Sequence, residues 1–173
     1  MSRKSNIYLL GFMGVGKSSV GKLLAEKLDR QFFDIDDLIV ESIGNPITKI
    51  FEEDGEEHFR HLESGALKNV VEEKNAVISC GGGIVMKNDN MKIISETGIS
   101  VFLSAAIDTI IERISDSTGR PLLNGLSDEA KYEKVKNSVA LRLPKYLSAD
   151  ITLDTNDKTI EIITDEIIGQ INL

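Results

Sequence analysis

Near the N-terminus stands the stretch Gly11-Phe12-Met13-Gly14-Val15-Gly16-Lys17-Ser18, which decides the fold. It matches the pattern G-x-x-x-x-G-K-S/T in full, and it joins a predicted strand at residues 6–10 to a predicted helix at residues 17–28. Glycines let consecutive backbone N–H groups turn towards one phosphate, and the N-terminus of the next helix adds favourable partial charge. A chance glycine turn would not need these flanks, so the stretch predicts a nucleotide-binding P-loop.

The P-loop also assigns individual residues. Lys17 is expected to reach the β- and γ-phosphates, and Ser18 to ligate Mg²⁺. The predicted ATP contacts of this segment are Gly14, Val15, Gly16, Lys17, Ser18 and Ser19. GTPase switches, ATPases and small-molecule kinases all carry such a loop, so the loop alone names no substrate.

Outward from the loop, the sequence alternates short apolar strands with amphipathic helices. Strands are predicted at residues 6–10, 31–35, 76–79, 99–103 and 151–153. Helices are predicted at residues 17–28, 37–43, 47–51, 56–73, 88–96, 107–114, 128–141 and 159–170. This alternation predicts a three-layer α/β fold in which a five-stranded parallel sheet carries helices on both faces. Ligands then bind beyond the carboxyl ends of the strands.

Composition limits the classes of function. The 173 residues fit one domain, 1–173, and a net charge of −8 speaks against a nucleic-acid partner. An apolar run of about 18 residues is missing, as is a signal peptide, so we expect no membrane partner. The single cysteine, Cys80, predicts a reducing, cytoplasmic location. Only six of the 20 basic residues are arginines, which makes each arginine a candidate for work that needs a rigid, permanently charged fork.

Two aspartates follow the second predicted strand. If the strand continues, its period of two residues puts Asp34 and Asp36 on one side. One of them would then hold a water of the Mg²⁺ shell while the other bonds an acceptor hydroxyl. The alternative is that Asp36 only caps the helix that follows.

Two further features of the sequence are Arg60 and three consecutive glycines, Gly81-Gly82-Gly83. From spacing alone, Arg60 is a helix-surface cation paired with Glu56 or Glu57. The glycines indicate either a close approach of the backbone to a ligand or a flexible turn. Cys80 is expected to be a small buried residue, and His58 and His61 are expected to be exposed.

A set of ordered motifs carries a family resemblance. The motifs are the P-loop, Phe33-Asp34-Ile35-Asp36, Phe59-Arg60, Gly81-Gly82-Gly83, Arg120-Pro121-Leu122-Leu123 and Arg142-Leu143-Pro144-Lys145-Tyr146. Together they resemble the shikimate kinase family from Ile7 to Asn156. The chain departs from the family pattern at Lys145 and Ser148. It also lacks the proline that some members place shortly after the predicted adenine loop, Asp154-Thr155-Asn156-Asp157-Lys158.

The resemblance implies a role for each matching residue. It implies that shikimate is bound by Asp36, Arg60, Gly81, Gly82, Gly83 and Arg142. It implies that Asp34 supports Mg²⁺ through water, that Arg113 and Lys158 contact ATP, and that Arg120 reaches the transferring phosphates from a mobile lid at about residues 115–127. An acceptor-binding region at about residues 34–61 completes the implied P-loop kinase fold.

The activity implied is the transfer of the γ-phosphoryl group of ATP to the 3-hydroxyl of shikimate, with ATP and Mg²⁺ as cofactors. Lys17, Asp36 and Arg120 are the expected catalytic residues, and the protein is expected to be a monomer. One rival is a related P-loop kinase for another small hydroxy acid such as gluconate. The other is a nucleotide-dependent switch, which would bind a protein partner and have no acceptor pocket.

Overall fold

The computed structural model describes residues 5–115, 123 and 125–171. Its centre is a five-stranded parallel sheet with the strand order β2-β3-β1-β4-β5. The strands are β1 (Asn6–Leu10), β2 (Gln31–Asp34), β3 (Ala76–Ser79), β4 (Gly98–Ser104) and β5 (Ile151–Asp154). All five predicted strands are present, and the predicted α/β fold class is confirmed.

Two hydrophobic cores cover the two faces of the sheet. The central strand β1 is buried along its whole length because its side chains alternate between the cores. Ile7 and Leu9 lie in one core, and Tyr8 and Leu10 lie in the other. The helices that cover the sheet are α1 (Lys17–Lys27), α2 (Ile35–Ile43), α3 (Ile47–Val70), α4 (Asn88–Thr97), α5 (Ile107–Ser115), α6 (Asp128–Tyr146) and α7 (Ile160–Ile171).

Helix α3 joins two predicted helices. Gly55 interrupts it with a φ of 82°, a left-handed conformation that glycine adopts without strain. The segments on either side of Gly55 correspond to the helices predicted at residues 47–51 and 56–73.

Helix α6 corrects a prediction, because it does not end at Leu141 ahead of Pro144. It continues to Tyr146 with Pro144 inside it. The extra turn is held by Tyr146, whose hydroxyl donates to the Gly82 carbonyl at 2.5 Å. The Tyr146 ring also stacks on the Phe102 ring, with 4.8 Å between the ring centroids. Burial raises the pKa of Tyr146 to about 12, so its proton stays available for this bond. These contacts offset the loss of the one backbone hydrogen bond that Pro144 cannot donate within the helix.

None of the helices within the described ranges is long and apolar enough to cross a membrane.

The tight pairing of β1 with β4 predicts opposite effects for two glycine substitutions. An alanine at Gly98 would overlap the Asn6 carbonyl and come within 2.6 Å of Tyr8 Cε2, whereas Gly65 on α3 has open space around it. We expect Gly98→Ala to lower the free energy of unfolding by about 1–3 kcal/mol, the range for an overpacked core. Gly65→Ala should raise it by about 0.5–1 kcal/mol through helix propensity. Urea denaturation measures both, and an unchanged midpoint for Gly98→Ala would contradict the packing described.

Candidate active site

One cavity of about 570 Å³ lies at the carboxyl ends of β1, β2 and β3. Most of the predicted site residues line it, namely Gly14, Gly16, Lys17, Ser18, Ser19, Asp34, Asp36, Arg60, Gly81, Gly82, Gly83, Arg113 and Arg142. Val15 does not line the cavity, because its side chain is buried in the core with 1% of its surface exposed. A contact of Val15 with ATP would therefore use its backbone. Lys158 does not line the cavity. Arg120 and most of the predicted lid lie outside the described residues.

The P-loop holds its own lysine. The Nζ atom of Lys17 donates to the carbonyl oxygens of Gly11 and Phe12, both at 2.9 Å. Gly16 stands at the start of α1 with a φ of 95°, a conformation that favours glycine and opens the helix N-terminus towards the cavity. The loop therefore has the shape of a phosphate cradle, with an amine beside it.

Asp34 links the P-loop to the second strand. The Ser18 hydroxyl donates to Asp34 Oδ2 at 2.6 Å, and Asp34 Oδ1 accepts from the backbone N–H of Asp36 at 3.0 Å. Asp34 is thus the N-cap of α2, which corrects the alternative that Asp36 caps this helix. The strand ends at Asp34, so Asp36 reaches the cavity from the first turn of α2 and not by strand alternation.

The same oxygens are the part of the site suited to a cation. A hydroxyl and a carboxylate are hard ligands, which suit Mg²⁺. Among the described residues, no group of three or more His, Cys, Asp and Glu side chains could hold a metal ion. A P-loop Mg²⁺ needs only one or two protein oxygens, with water and phosphate supplying the others, so Ser18 and Asp34 fit it.

Arg60 is held by two carboxylates of its own helix. Its guanidinium donates to Glu63 at 2.6 Å and to Glu56 at 3.0 Å, so the pairing expected with Glu56 is present and the alternative partner Glu57 is not used. Glu63 is completely buried, and burial raises its pKa against the opposing effects of Arg60, Arg142 and Lys87. The fork of Arg60 is therefore fixed, and much of its charge is compensated within α3.

Glu63 is a residue of this site that the sequence analysis missed. A signal was present, because Phe59, Glu63, Leu67 and Val70 form one helical stripe and all four are buried. A carboxylate inside an apolar stripe, three residues after an arginine, indicates a buried ion pair.

Arg142 is held in a different way. Only 8% of its surface is exposed, and its guanidinium carbon lies 5.3 Å from the ring centroid of Phe12. Within the described residues, no carboxylate comes within ion-pair distance of it. The Arg142 side chain lines the cavity, so its role is not limited to a favourable interaction with the dipole at the C-terminus of α6.

The three glycines leave room for this arrangement. A Cβ atom at Gly81 would overlap the Glu63 carboxylate, one at Gly83 would overlap the Arg60 guanidinium, and one at Gly82 would lie 3.3 Å from Arg142. The glycine turn is therefore a surface on which the charged side chains pack. Next to it, Cys80 is buried, and His58 and His61 are exposed, as predicted.

At the far end of the cavity, Arg113 joins the P-loop to the segment after β5. It donates to the Thr155 carbonyl at 3.1 Å, to the Thr155 hydroxyl at 3.2 Å and to the Gly14 carbonyl at 3.4 Å. Lys158 pairs with Glu166 of α7 at 2.8 Å. The assignments of Arg113 and Lys158 to ATP remain predictions.

Comparisons with known proteins agree with one another. The family model described as shikimate kinase matches residues 13–172. The shikimate kinase of Thermodesulfovibrio yellowstonii is 40% identical over 165 residues, which cover 95% of this chain and 94% of that protein. A structure described as shikimate kinase from Acinetobacter baumannii in complex with shikimate has a TM-score of 0.92 and 33% identity, and the match covers 98% of this chain and 94% of that chain.

A P-loop that opens into the same cavity as two arginines and an aspartate defines a P-loop kinase of small molecules. The chain belongs to the shikimate kinase family. The family resemblance, the fold class and the activity predicted from the motifs are thereby confirmed. A gluconokinase from Sinorhizobium meliloti matches with 18% identity and a TM-score of 0.59, over 98% of this chain and 92% of that chain, and shares the fold alone.

Cys80 provides a test of how closed the floor of the cavity is. Because burial raises the pKa of this thiol and its exposed surface is 1%, it should resist thiol reagents in the folded protein. We expect less than about one tenth of a thiol to react in native buffer at pH 8, and one full thiol to react in denaturant. A colorimetric thiol assay counts both, and the single cysteine makes the count unambiguous. Rapid reaction in native buffer would mean that the turn after β3 opens.

Proposed function

We propose that this chain transfers the γ-phosphoryl group of ATP to the 3-hydroxyl of shikimate, giving ADP and shikimate 3-phosphate. The observation that carries the proposal is that the P-loop, Asp36 and the two arginines Arg60 and Arg142 line one cavity. Membership of the shikimate kinase family supports both substrates. A nucleotide switch would not need an acceptor end in the same cavity.

The phosphate end rests on the P-loop. We propose that the backbone from Gly14 to Ser19 cradles the phosphates and that Lys17 exchanges its two carbonyl partners for phosphate oxygens. Phosphoryl transfer asks for little covalent work from the protein, so this lysine acts by positioning and by charge compensation.

Ser18 and Asp34 are the residues that would hold Mg²⁺, Ser18 directly and Asp34 through water. Bound there with the nucleotide, Mg²⁺ would neutralise part of the phosphate charge. The hydrogen bond of 2.6 Å between Ser18 and Asp34 supports the proposal, because it holds two hard oxygens together beside Lys17.

The acceptor end consists of Asp36, Arg60, Arg142 and the glycine turn. We propose that Arg60 and Arg142 face the carboxylate of shikimate and that Asp36 orients the hydroxyl that receives the phosphoryl group and accepts its proton. Gly81, Gly82 and Gly83 bring backbone N–H groups close to the same ligand. Of the two arginines, Arg142 has the less compensated charge, so it supplies the stronger attraction for an anion.

The remaining assignments complete the proposal. We propose that Arg113 and Lys158 contact ATP, and the bonds of Arg113 to Thr155 and Gly14 support this for Arg113. Arg120, outside the described residues, would stabilise charge on the transferring group from a closing lid. We propose that the protein is a monomer and that it is cytoplasmic, a location that its one free, buried thiol supports.

The proposed activity predicts strict dependence on the acceptor. We expect ADP release from ATP and Mg²⁺ to rise at least about 10²-fold when shikimate is added, because the acceptor hydroxyl and the closed site are both needed for transfer. Gluconate, which also carries a carboxylate and hydroxyls, is the matched control acceptor and should give no increase. A faster ADP release with gluconate than with shikimate would indicate the rival kinase for another hydroxy acid. ADP release that is equal with and without an acceptor would indicate a nucleotide-dependent switch.

Replacement of the Arg60 fork predicts weaker acceptor binding. Arg60→Lys keeps the charge, but one ammonium group cannot serve Glu63, Glu56 and a ligand carboxylate in the geometry of a planar fork. We expect the variant to lose about 1–3 kcal/mol in shikimate binding by calorimetry. Arg30→Lys is the control, since Arg30 donates to the Ser5 carbonyl far from the cavity. Wild-type affinity in Arg60→Lys would reduce Arg60 to a structural residue of α3.

A further inference from the structure

The two arginines at the acceptor end differ in their charged partners. Arg60 lies between two carboxylates, at 2.6 Å and 3.0 Å, and its guanidinium carbon also lies 5.4 Å from the centroid of the Phe59 ring. The guanidinium carbon of Arg142 lies 5.3 Å from the centroid of the Phe12 ring, and no carboxylate of the described residues is within ion-pair distance of it. Phe12 is a variable position of the P-loop motif, and 4% of its surface is exposed. A P-loop side chain therefore contacts an arginine of the acceptor end.

An aromatic ring suits this arginine for a physical reason. A buried guanidinium has lost most of its water, and this loss is unfavourable unless another group interacts with the charge. A carboxylate would do so, but it would also neutralise the cation and compete with a ligand carboxylate. The face of an aromatic ring attracts the cation and carries no net charge, so it does not neutralise Arg142 or compete with a ligand carboxylate.

The surroundings of Arg142 fix the guanidinium between two rigid parts. On one side is the Phe12 ring, and the Phe12 carbonyl accepts from Lys17 within the P-loop. On the other side is Gly82, whose carbonyl accepts from the Tyr146 hydroxyl one turn after Arg142 on α6. A Cβ atom at Gly82 would be only 3.3 Å from a terminal nitrogen of Arg142. Phe12 does not line the cavity, so its ring acts on a ligand only through Arg142.

We infer that Phe12 is a positioning residue for Arg142: its ring holds the guanidinium in place for the carboxylate of the acceptor and does not neutralise it. The inference rests on the proposed function, which gives Arg142 to the acceptor. The P-loop then has two tasks, because its backbone and lysine serve the nucleotide while its aromatic side chain serves the acceptor.

The first test is Phe12→Leu, which keeps an apolar side chain of similar size and removes the π face. We expect the dissociation constant for shikimate to rise by about 2- to 30-fold, the range of a partly desolvated cation–π contact. The kcat at saturating substrates and the dissociation constant for ADP should each stay within about 2-fold, because the contact is the same in the ground and transition states. Phe32→Leu is the matched control, since it removes a ring with Lys22 Nζ 6.0 Å from its centroid and should leave shikimate binding unchanged.

A second series separates the ring's electrostatics from its packing. Phenylalanines with one, two or three fluorine atoms, incorporated at position 12, weaken the negative ring face while nearly preserving its shape. The logarithm of the shikimate dissociation constant should rise steadily with each fluorine, in protein whose urea midpoint is unchanged. Flat affinity across the series would overturn the inference, even if Phe12→Leu binds weakly through a packing defect.

Arg142→Ala distinguishes failure of this inference from failure of the proposed function. If Arg142→Ala loses shikimate binding while the fluorinated series does not respond, Arg142 binds the acceptor without help from Phe12. If Arg142→Ala binds shikimate as the wild type does, the acceptor assignment itself is wrong, and the inference fails with it.

Discussion

The parallel pairing of β1 with β3 is the constraint on which the site depends. Its register sets Ile7 opposite Val77 and Leu9 opposite Ser79, and the Cys80 N–H donates to the Leu9 carbonyl at 3.0 Å just beyond the strand ends. The P-loop and the glycine turn therefore leave the sheet side by side. A shift of one residue would exchange the buried faces of β1 and separate the two turns, so core packing and site geometry are specified together.

The charges at the acceptor end show how an acidic protein handles an anion. With a net charge of −8, the chain offers little attraction to anions from its surface as a whole. Within the cavity, however, Arg60 is paired with acids of its own helix, whereas Arg142 packs on the Phe12 ring and has no carboxylate of the described residues within ion-pair distance. Arg60 thus presents hydrogen-bond donors in a fixed geometry, and Arg142 presents the less compensated positive charge. This division agrees with the scarcity of arginine noted in the sequence.

Local patterns predicted the parts of the molecule that local physics determines. The P-loop and the five strands follow from short-range rules of periodicity and glycine geometry, and their positions agree with the structure within one residue at each end. Ordered motifs identified the family. The error at α6 concerns a contact between distant segments: the helix passes Pro144 because Tyr146 is anchored to Gly82, 64 residues away in sequence. The contact between Phe12 and Arg142 is also non-local, so the spacing of residues in the sequence could not reveal it. The burial of Glu63, in contrast, could have been predicted from the apolar helical stripe in which it lies.

The contacts of Lys17 have a consequence for how the nucleotide arrives. By donating to the carbonyls of Gly11 and Phe12, the lysine links the start of α1 to the start of its own loop and restricts the conformations that the P-loop can adopt. Under the proposed function, the amine binds phosphate by exchanging these partners. Because the loop is already restricted, less conformational entropy is lost there when the nucleotide binds. The P-loop is therefore preorganised for the nucleotide.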